Sequence, residues 1–354
     1  MSRFEASSRR LLCNTSSTAT HLRYPDELVH KTELPPDLVV IRQARALLIG
    51  ATLLWGLSFP LLRGLELAQK AHAPQIPDSA LACANIAIRF GLAALFLLAI
   101  YGRELKGVTP REWSQAVGLA VFAGAGLYLQ TLGLAWADAS VAAFLTQLYT
   151  LIVPLIVSVR DRRLPSFRVI VACVLVLLGA AMLSPGLMAH LTLGPGELVI
   201  ILSTGFLASQ IVWVERPAYA ENRPGIVTLI MFLILTGMFA LGYLATGGTS
   251  QSACHLLDTP ALWELTLALV FFCTVFNFLI MNAWQRCVSA TEAGLIYCLE
   301  PVIATVLSSF LPGWISRLAA ISYPNETLPW TLLAGGVLIV VATILVATER
   351  RTLD

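Results

Sequence analysis

The sequence predicts an all-α polytopic membrane protein whose ten transmembrane helices form two five-helix inverted repeats. Three observations carry that prediction. First, 57% of the 354 residues are hydrophobic and only 12% are charged, at a mean hydropathy of +0.77. An average soluble domain carries about 25% charged residues, and a soluble fold of this size has too little interior to hide so much apolar surface. Second, apolar runs of the length a helix needs to cross a bilayer recur along the chain, too long and continuous for barrel strands. Third, the basic residues alternate between loops in the pattern that sets membrane orientation.

Residues 1–43 are polar and contain no span. Their Ser/Thr- and Arg-rich start has the flavour of a transit peptide, but the acidic residues from Asp26 onward argue for a disordered cytoplasmic tail. The apolar runs then cover 44–65, 80–101, 114–135, 139–159, 167–187, 195–215, 225–246, 261–284, 289–312 and 329–348. With the N-terminus inside, 19 of the 23 Lys and Arg residues fall on the cytoplasmic side. Arg63, Lys70 and Arg317 fall on the other side, and Arg89 lies within the second span. Both termini are therefore expected in the cytoplasm, in a plasma (bacterial inner) membrane.

Internal similarity divides the spans. ADASVAAFL (137–145) and VSATEAGLI (288–296) share a pattern of small residues at an offset of 151. ACVLVLLGAAML (172–183) and AGGVLIVVATIL (334–345) match loosely at an offset of 162, so an eleven-residue insertion is expected in the 312–328 loop. The repeats are expected at 44–187 and 194–348. Five is odd, so the second repeat enters the membrane in the opposite sense. Inverted repeats of this kind build alternating-access transporters with the substrate site at the repeat interface.

The polar residues inside the spans are the candidate site. Glu300 sits mid-span in IYCLEPVIATVL (296–307), where a carboxylate costs roughly 2.5–3.5 kcal/mol on insertion scales and so should face the bundle interior or water. Pro301 beside it frees the carbonyl of Tyr297, as Pro154 frees that of Thr150 and Pro60 that of Gly56. These prolines are candidate hinges. Glu300 reads either as a site for a substrate amine or a proton, or as a structural partner of Arg89. Arg89 in turn could take a substrate carboxylate or hold Glu300 permanently. The uncharged candidates for the cavity wall are Trp55, Ser58, Tyr128, Gln130, Gln147, Tyr149, Gln210, Trp213, Asn277, Asn282 and Tyr297. Aromatic walls with a few amide groups suit an amphipathic metabolite or an amino acid, although each residue alone could equally serve helix packing.

Other classes find little support. No basic stripe suggests nucleic acid, and Arg89 is the one basic group in the spans away from their ends, which argues against phosphate-rich cargo. The seven cysteines show no CxxC or Cys/His spacing, so neither a metal site nor a disulfide framework is expected. No cofactor is expected. A membrane-embedded enzyme would need clustered His, Asp, Cys or Ser, and no HExxH or GxSxG run occurs. Of the five histidines, His72, His190 and His255 fall in loops opposite the cytoplasmic side and read as surface residues, and Asn325-Glu326-Thr327 forms a glycosylation sequon there.

WGLSFP (55–60), IRF (88–90), QTLGLAWADASVAAFL (130–145), SATEAGLIYCLEPVIATVL (289–307) and the glycine-bearing last helix together resemble the EamA branch of the drug/metabolite transporter superfamily. The resemblance covers about 40–348. It implies a five-plus-five inverted repeat and the movement of a small metabolite. Members often carry a glutamate after the fourth and ninth helices. Here Arg160-Asp161-Arg162-Arg163 and Pro312-Gly313 stand instead, with Glu326 displaced past the insertion. No Walker loop is present, so the expected function is a secondary active transporter, an exporter of an amino acid or amphipathic amine, with H+ as a candidate coupling ion. The alternative from another class is a structural or receptor role on the same scaffold. The lipid bilayer and a small-molecule substrate are the expected partners. Oligomeric state is not legible.

Overall fold

The computed structural model describes residues 36–137, 142, 145–183, 194–249, 253, 255–327 and 330–347. Most of the polar tail, part of the 137–145 motif, His190 and the C-terminal arginines lie outside the described residues. All regular structure within them is helical. In chain order the helices are α1 (Pro36–His72), α2 (Asp78–Tyr101), α3 (Pro110–Leu134), α4 (Tyr149–Asp161) and α5 (Phe167–Leu183). There follow α6 (Pro195–Val214), α7 (Pro224–Ala245), α8 (Pro260–Val270), α9 (Phe276–Trp284), α10 (Ala290–Tyr297), α11 (Glu300–Ser308), α12 (Leu311–Ala319) and α13 (Trp330–Ala347). A helix meets each of the ten predicted ranges. Seven stretches are long and apolar enough to cross a membrane, and α5 and α13 hold shorter apolar segments, Phe167–Gly179 and Ala334–Leu345.

The bundle is greasy outside and sets a number of polar groups into its largely apolar interior. Leu95, Leu241 and Leu155 are more than 60% exposed, while Asn277, Gln285, Thr228 and Ser203 are fully buried. Without a hydrophobic drive between helices in lipid, such polar groups and close backbone contacts hold the bundle. Asn282 Nδ2 donates to Thr228 Oγ1 (2.9 Å), joining α9 to α7. α5 and α13 cross with their backbones touching: a Cβ added at Gly179 would lie 2.6 Å from the Gly335 carbonyl oxygen.

Helix starts follow local chemistry. Thr109 and Glu112 form a capping box at the head of α3, with Pro110 in the first turn. Ser289 opens α10 by accepting from the Glu292 amide (3.1 Å), and the Glu292 side chain pairs with Arg45 of α1. α2 lies along α7, and α3 along α6. α1 contacts α8, α9 and α11, and α4 contacts α6 and α10.

Four features depart from the sequence expectation. α1 starts within the predicted tail and runs to His72; at 1.5 Å per residue it is about 55 Å long, well beyond a hydrocarbon core of about 30 Å. The predicted insertion contains a helix, α12, with Pro312 and Ile315 buried and Trp314 half-exposed. The eighth predicted span carries a π-helical segment, Phe271–Val275, between α8 and α9. The ninth is broken between α10 and α11, where i→i−3 bonds replace the regular ladder (Cys298 N to Leu295 O and Leu299 N to Ile296 O, both 3.2 Å). The same tightening precedes α4, with Leu148 N to Leu145 O at 3.0 Å and Thr150 N to Gln147 O at 2.9 Å. The two breaks, at 147–148 and 298–299, are 151 residues apart, the offset that aligns the two small-residue motifs.

Candidate functional site: a cavity at the two helix breaks

A cavity of about 90 Å³ lies where the helix breaks face α1, α2, α3, α6 and α9. Eight of the residues singled out from the sequence line it: Trp55, Ser58, Arg89, Gln130, Tyr149, Gln210, Tyr297 and Glu300. Each break delivers one of them as the first residue of the following helix, Tyr149 for α4 and Glu300 for α11. Proline at the second position of α11 suits a helix start, because its missing N–H would be unbonded there anyway.

Aromatic and aliphatic side chains share the apolar part of the wall. Trp55 meets Tyr297 edge to face at 5.1 Å between centroids and Phe278 at 6.0 Å, and Phe90 stands behind Phe278 at 5.6 Å. Most polar side chains of the site are already engaged. Tyr297 Oη donates to Gln285 Oε1 (2.9 Å), and Gln285 Nε2 donates to the carbonyl of Ile211 (2.7 Å). Gln130 Nε2 donates to Thr146 Oγ1 (3.1 Å). Two of the groups left over stand out. Among the described residues Tyr149 Oη is buried without a hydrogen bond of normal geometry, with only the Cys298 thiol beside it, and the Glu300 carboxylate has no partner. An unmatched buried hydroxyl costs about 1–3 kcal/mol.

Arg89 does not pair with Glu300: no ion pair joins them among the described residues. The guanidinium instead donates to Thr274 Oγ1 and to the carbonyl of Cys273 (3.1 Å), both in the π-helical segment. A π turn displaces carbonyls from the i→i−4 ladder, and here it presents one to Arg89. That arrangement explains how a cation sits at mid-span without a carboxylate beside it.

The other five candidates sit off the cavity wall. Tyr128 stacks on Phe239 (5.8 Å). Trp213 Nε1 donates to the carbonyl of Gln115 (3.2 Å) beneath the Arg216 guanidinium. Asn282 ties α9 to α7, as above. Asn277, with its amide turned to match, donates to Ala51 O (3.1 Å) and accepts from Trp55 Nε1 (3.3 Å), so it fixes a cavity residue without lining the cavity. Gln147 is buried in the first break, where its carbonyl accepts from Thr150 Oγ1 (2.8 Å).

Of the hinge candidates, Pro154 frees the Thr150 carbonyl, which accepts from the Cys173 thiol (3.3 Å). Pro60 lies one turn from Gly56, where α11 presses on α1. Leu62, Leu127, Leu134, Leu207, Ile211 and Met281 also line the cavity. Nothing in an apolar run distinguishes such residues from lipid-facing ones, which is why sequence reasoning passed over them.

Comparison with known proteins agrees with this architecture. Residues 44–184 match the EamA-like transporter family, the domain of the drug/metabolite transporter superfamily. One solved crystal structure superposes with a TM-score of 0.56 over 84% of this chain and 96% of its own, at 18% identity. At that identity the likeness concerns the fold alone. No curated protein matches the chain.

Proposed function

We propose that this chain, whose residues 44–184 form an EamA-like transporter domain, is a secondary transporter that moves a small amine-bearing metabolite through the cavity by alternating access. The observation that carries the proposal is the pair of unsatisfied groups on the wall. Among the described residues Glu300 is a carboxylate without a partner and Tyr149 a hydroxyl without one, and Trp55, Phe59, Phe278 and Tyr297 supply ring faces on the same wall. An ammonium group would satisfy both and rest against ring faces. The remaining candidates, Ser58, Gln130 and Gln210, would orient the rest of the molecule.

The inverted repeat is supported by the helix pairing. Numbering the predicted spans one to ten, an exchange of span n with span n+5 maps the observed neighbours onto one another. The pairs 2–7, 4–9 and 5–10 map onto themselves, 3–6 maps onto 8–1, and 1–9 onto 6–4. The matching breaks at 147–148 and 298–299 obey the same exchange. Two such halves rocking about a shared site would expose it to each side in turn. At about 90 Å³ the cavity is far smaller than the roughly 300 Å³ of a typical ligand pocket, so a metabolite enters only when the halves part. Both termini lie on the cytoplasmic side in this reading, in a plasma membrane, with export the working direction.

Purified protein in liposomes tests the proposal, with a labelled panel of neutral amino acids, polyamines, aromatic cations and sugar phosphates, with and without an inward-acid gradient. The expected result is flux of an amine-bearing compound that Glu300→Gln abolishes while the variant still unfolds at the wild-type temperature. Flux confined to sugar phosphates, or undiminished amine flux in Glu300→Gln, would overturn it.

A further inference from the structure

Glu66 lies one turn beyond Leu62, the last α1 residue on the cavity wall, towards the His72 end of the bundle. From the sequence it would be placed at a membrane surface, one residue past the predicted first span. It is instead 6% exposed, and it makes no hydrogen bond to any described residue. What covers it comes from three directions. Leu65 and Ala68 of the same turn pack with Leu262, Leu265 and Leu269 of α8 and with Tyr323, in the strap that follows α12. Ile315 of α12 sits directly on Gly64. α12 and the strap that follows it are thus folded down as part of the cover over this stretch of α1.

Other polar groups buried in this part of the fold are also short of partners. Gln69, one turn on, donates through Nε2 to Asn85 Oδ1 (2.9 Å) and Leu256 O (3.4 Å), which leaves Gln69 Oε1 and Asn85 Nδ2 buried without partners. Thr266 Oγ1 and Tyr323 Oη are in the same state. A protonated carboxyl group has one hydrogen to give and lone pairs to fill. Glu66 meets neither a hydrogen-bond donor nor a cation within contact distance among the described residues, which favours the neutral form that carries its own hydrogen. An ionised Glu66 would need a counter-ion in contact, and no described cation forms an ion pair with it. Lys70 pairs with Asp78 at the head of α2 (2.6 Å), and Arg63 donates to the carbonyl of Leu134 at the end of α3 (3.3 Å). Arg63, Lys70 and Asp78 are the charged groups that face Glu66. The strap adds Tyr323 with Glu326 behind it. The Glu264 side of α8 is exposed, as is the His255–Asp258 pair in the loop before it.

We propose that Glu66 is a proton-binding site separate from the cavity, loaded in the closed arrangement described above and discharged when α1 parts from α3. Leu134 links the two places, because it lines the cavity and its carbonyl holds Arg63. Parting α1 from α3 breaks the Arg63–Leu134 bond and admits water. The guanidinium, one helical turn from Glu66, is then free to pair with it. The carboxyl O–H bond breaks, the proton leaves to water, and the carboxylate pairs with Arg63. Re-closure requires the reverse: a proton returns, the pair separates, and Arg63 goes back to Leu134. Coupling to transport rests on the transporter reading above, whereas the proton site itself does not.

The test uses the full chain and needs no substrate. Dicyclohexylcarbodiimide adds to protonated carboxyl groups in apolar surroundings, and peptide mass spectrometry locates the adduct. The expected result is an adduct on Glu66 at neutral pH that falls at least tenfold as the pH is raised, and that a water-soluble carbodiimide does not give. Glu66→Gln removes it and Glu300→Gln leaves it in place. Arg63→Gln, which removes the discharging cation, should keep the adduct at pH values where the wild type has lost it. If Glu66→Gln fails to fold, Arg63→Gln and the wild-type pH series still decide. An unlabelled Glu66, or labelling that ignores both pH and Arg63, would overturn the proposal. Labelling as expected in a protein that carries none of the panel would sink the transport reading and leave the proton site standing.

Discussion

Gly56 is where the cavity can be tested without touching a polar group. A Cβ added there would lie 2.7 Å from Ile303 Cβ, 2.8 Å from Ile303 Cγ2 and 3.0 Å from the Glu300 carbonyl oxygen. Carbon atoms rest at about 3.5–4.0 Å, so α1 and α11 would have to part by about 1 Å in Gly56→Ala. The nearest atom is a Cβ, which no rotamer change can move away. Overpacking of this kind costs about 1–3 kcal/mol, offset by the helix propensity that alanine gains over glycine, about 1 kcal/mol. The net expectation is a loss of up to about 2 kcal/mol, read as a lower unfolding midpoint in detergent. Gly50, on the same helix, has nothing within 4 Å of its added Cβ. Gly50→Ala therefore reports the propensity gain alone and should raise the midpoint. Ile303→Ala should not rescue Gly56→Ala, because its Cβ remains, whereas Ile303→Gly should rescue it in part. Equal midpoints for Gly56→Ala and Gly50→Ala would show that the two helices do not cross as closely as described.

Three further outcomes follow from side chains already described. Tyr149→Phe removes a hydroxyl that makes no hydrogen bond to the described residues, so the unfolding midpoint should hold or rise slightly, while affinity for a transported amine falls about tenfold in equilibrium binding. Arg223→Ala strips the partner from Glu112, whose side chain is 3% exposed and accepts from the Arg223 Nε at 2.7 Å. Because Arg223 itself is about one-third exposed, the loss should be about 2 kcal/mol, less than for a fully buried pair, and Arg223→Lys should recover only part of it. Thr109→Ala breaks the capping box of α3 and should cost about 1 kcal/mol in the same unfolding measurement.

How much of this was written in the sequence differs by scale. Composition and run length point to a helical membrane bundle because the bilayer imposes both on every residue of a span. Glu300 stood out because a charge in an apolar run is expensive wherever it faces. The partners of such residues were not legible. Arg89 was expected to hold Glu300 or a substrate, but its acceptors arise from a π turn that no periodicity announces. Trp213 and Tyr128 looked like cavity aromatics, yet which face of a uniformly apolar helix turns inward depends on its neighbours. Glu66 escaped notice for the opposite reason. At the end of a span it reads as a surface charge, and the packing of α8, α12 and the strap after it around α1 buries it.

The π turn at Phe271–Val275 also sets the phase of the whole eighth segment. One residue of an α-helix is about 100° of rotation, and a π turn takes up one residue more than the ladder around it. Upstream of it, Leu262, Leu265 and Leu269 face the cover at Glu66; downstream, Phe278 and Met281 face the cavity. A straight helix through the same sequence would satisfy one of these faces and turn the other aside. Segment eight therefore behaves as two gears keyed to different shafts. Deleting a single residue between 271 and 275 should strip one of them while leaving the helix unbroken.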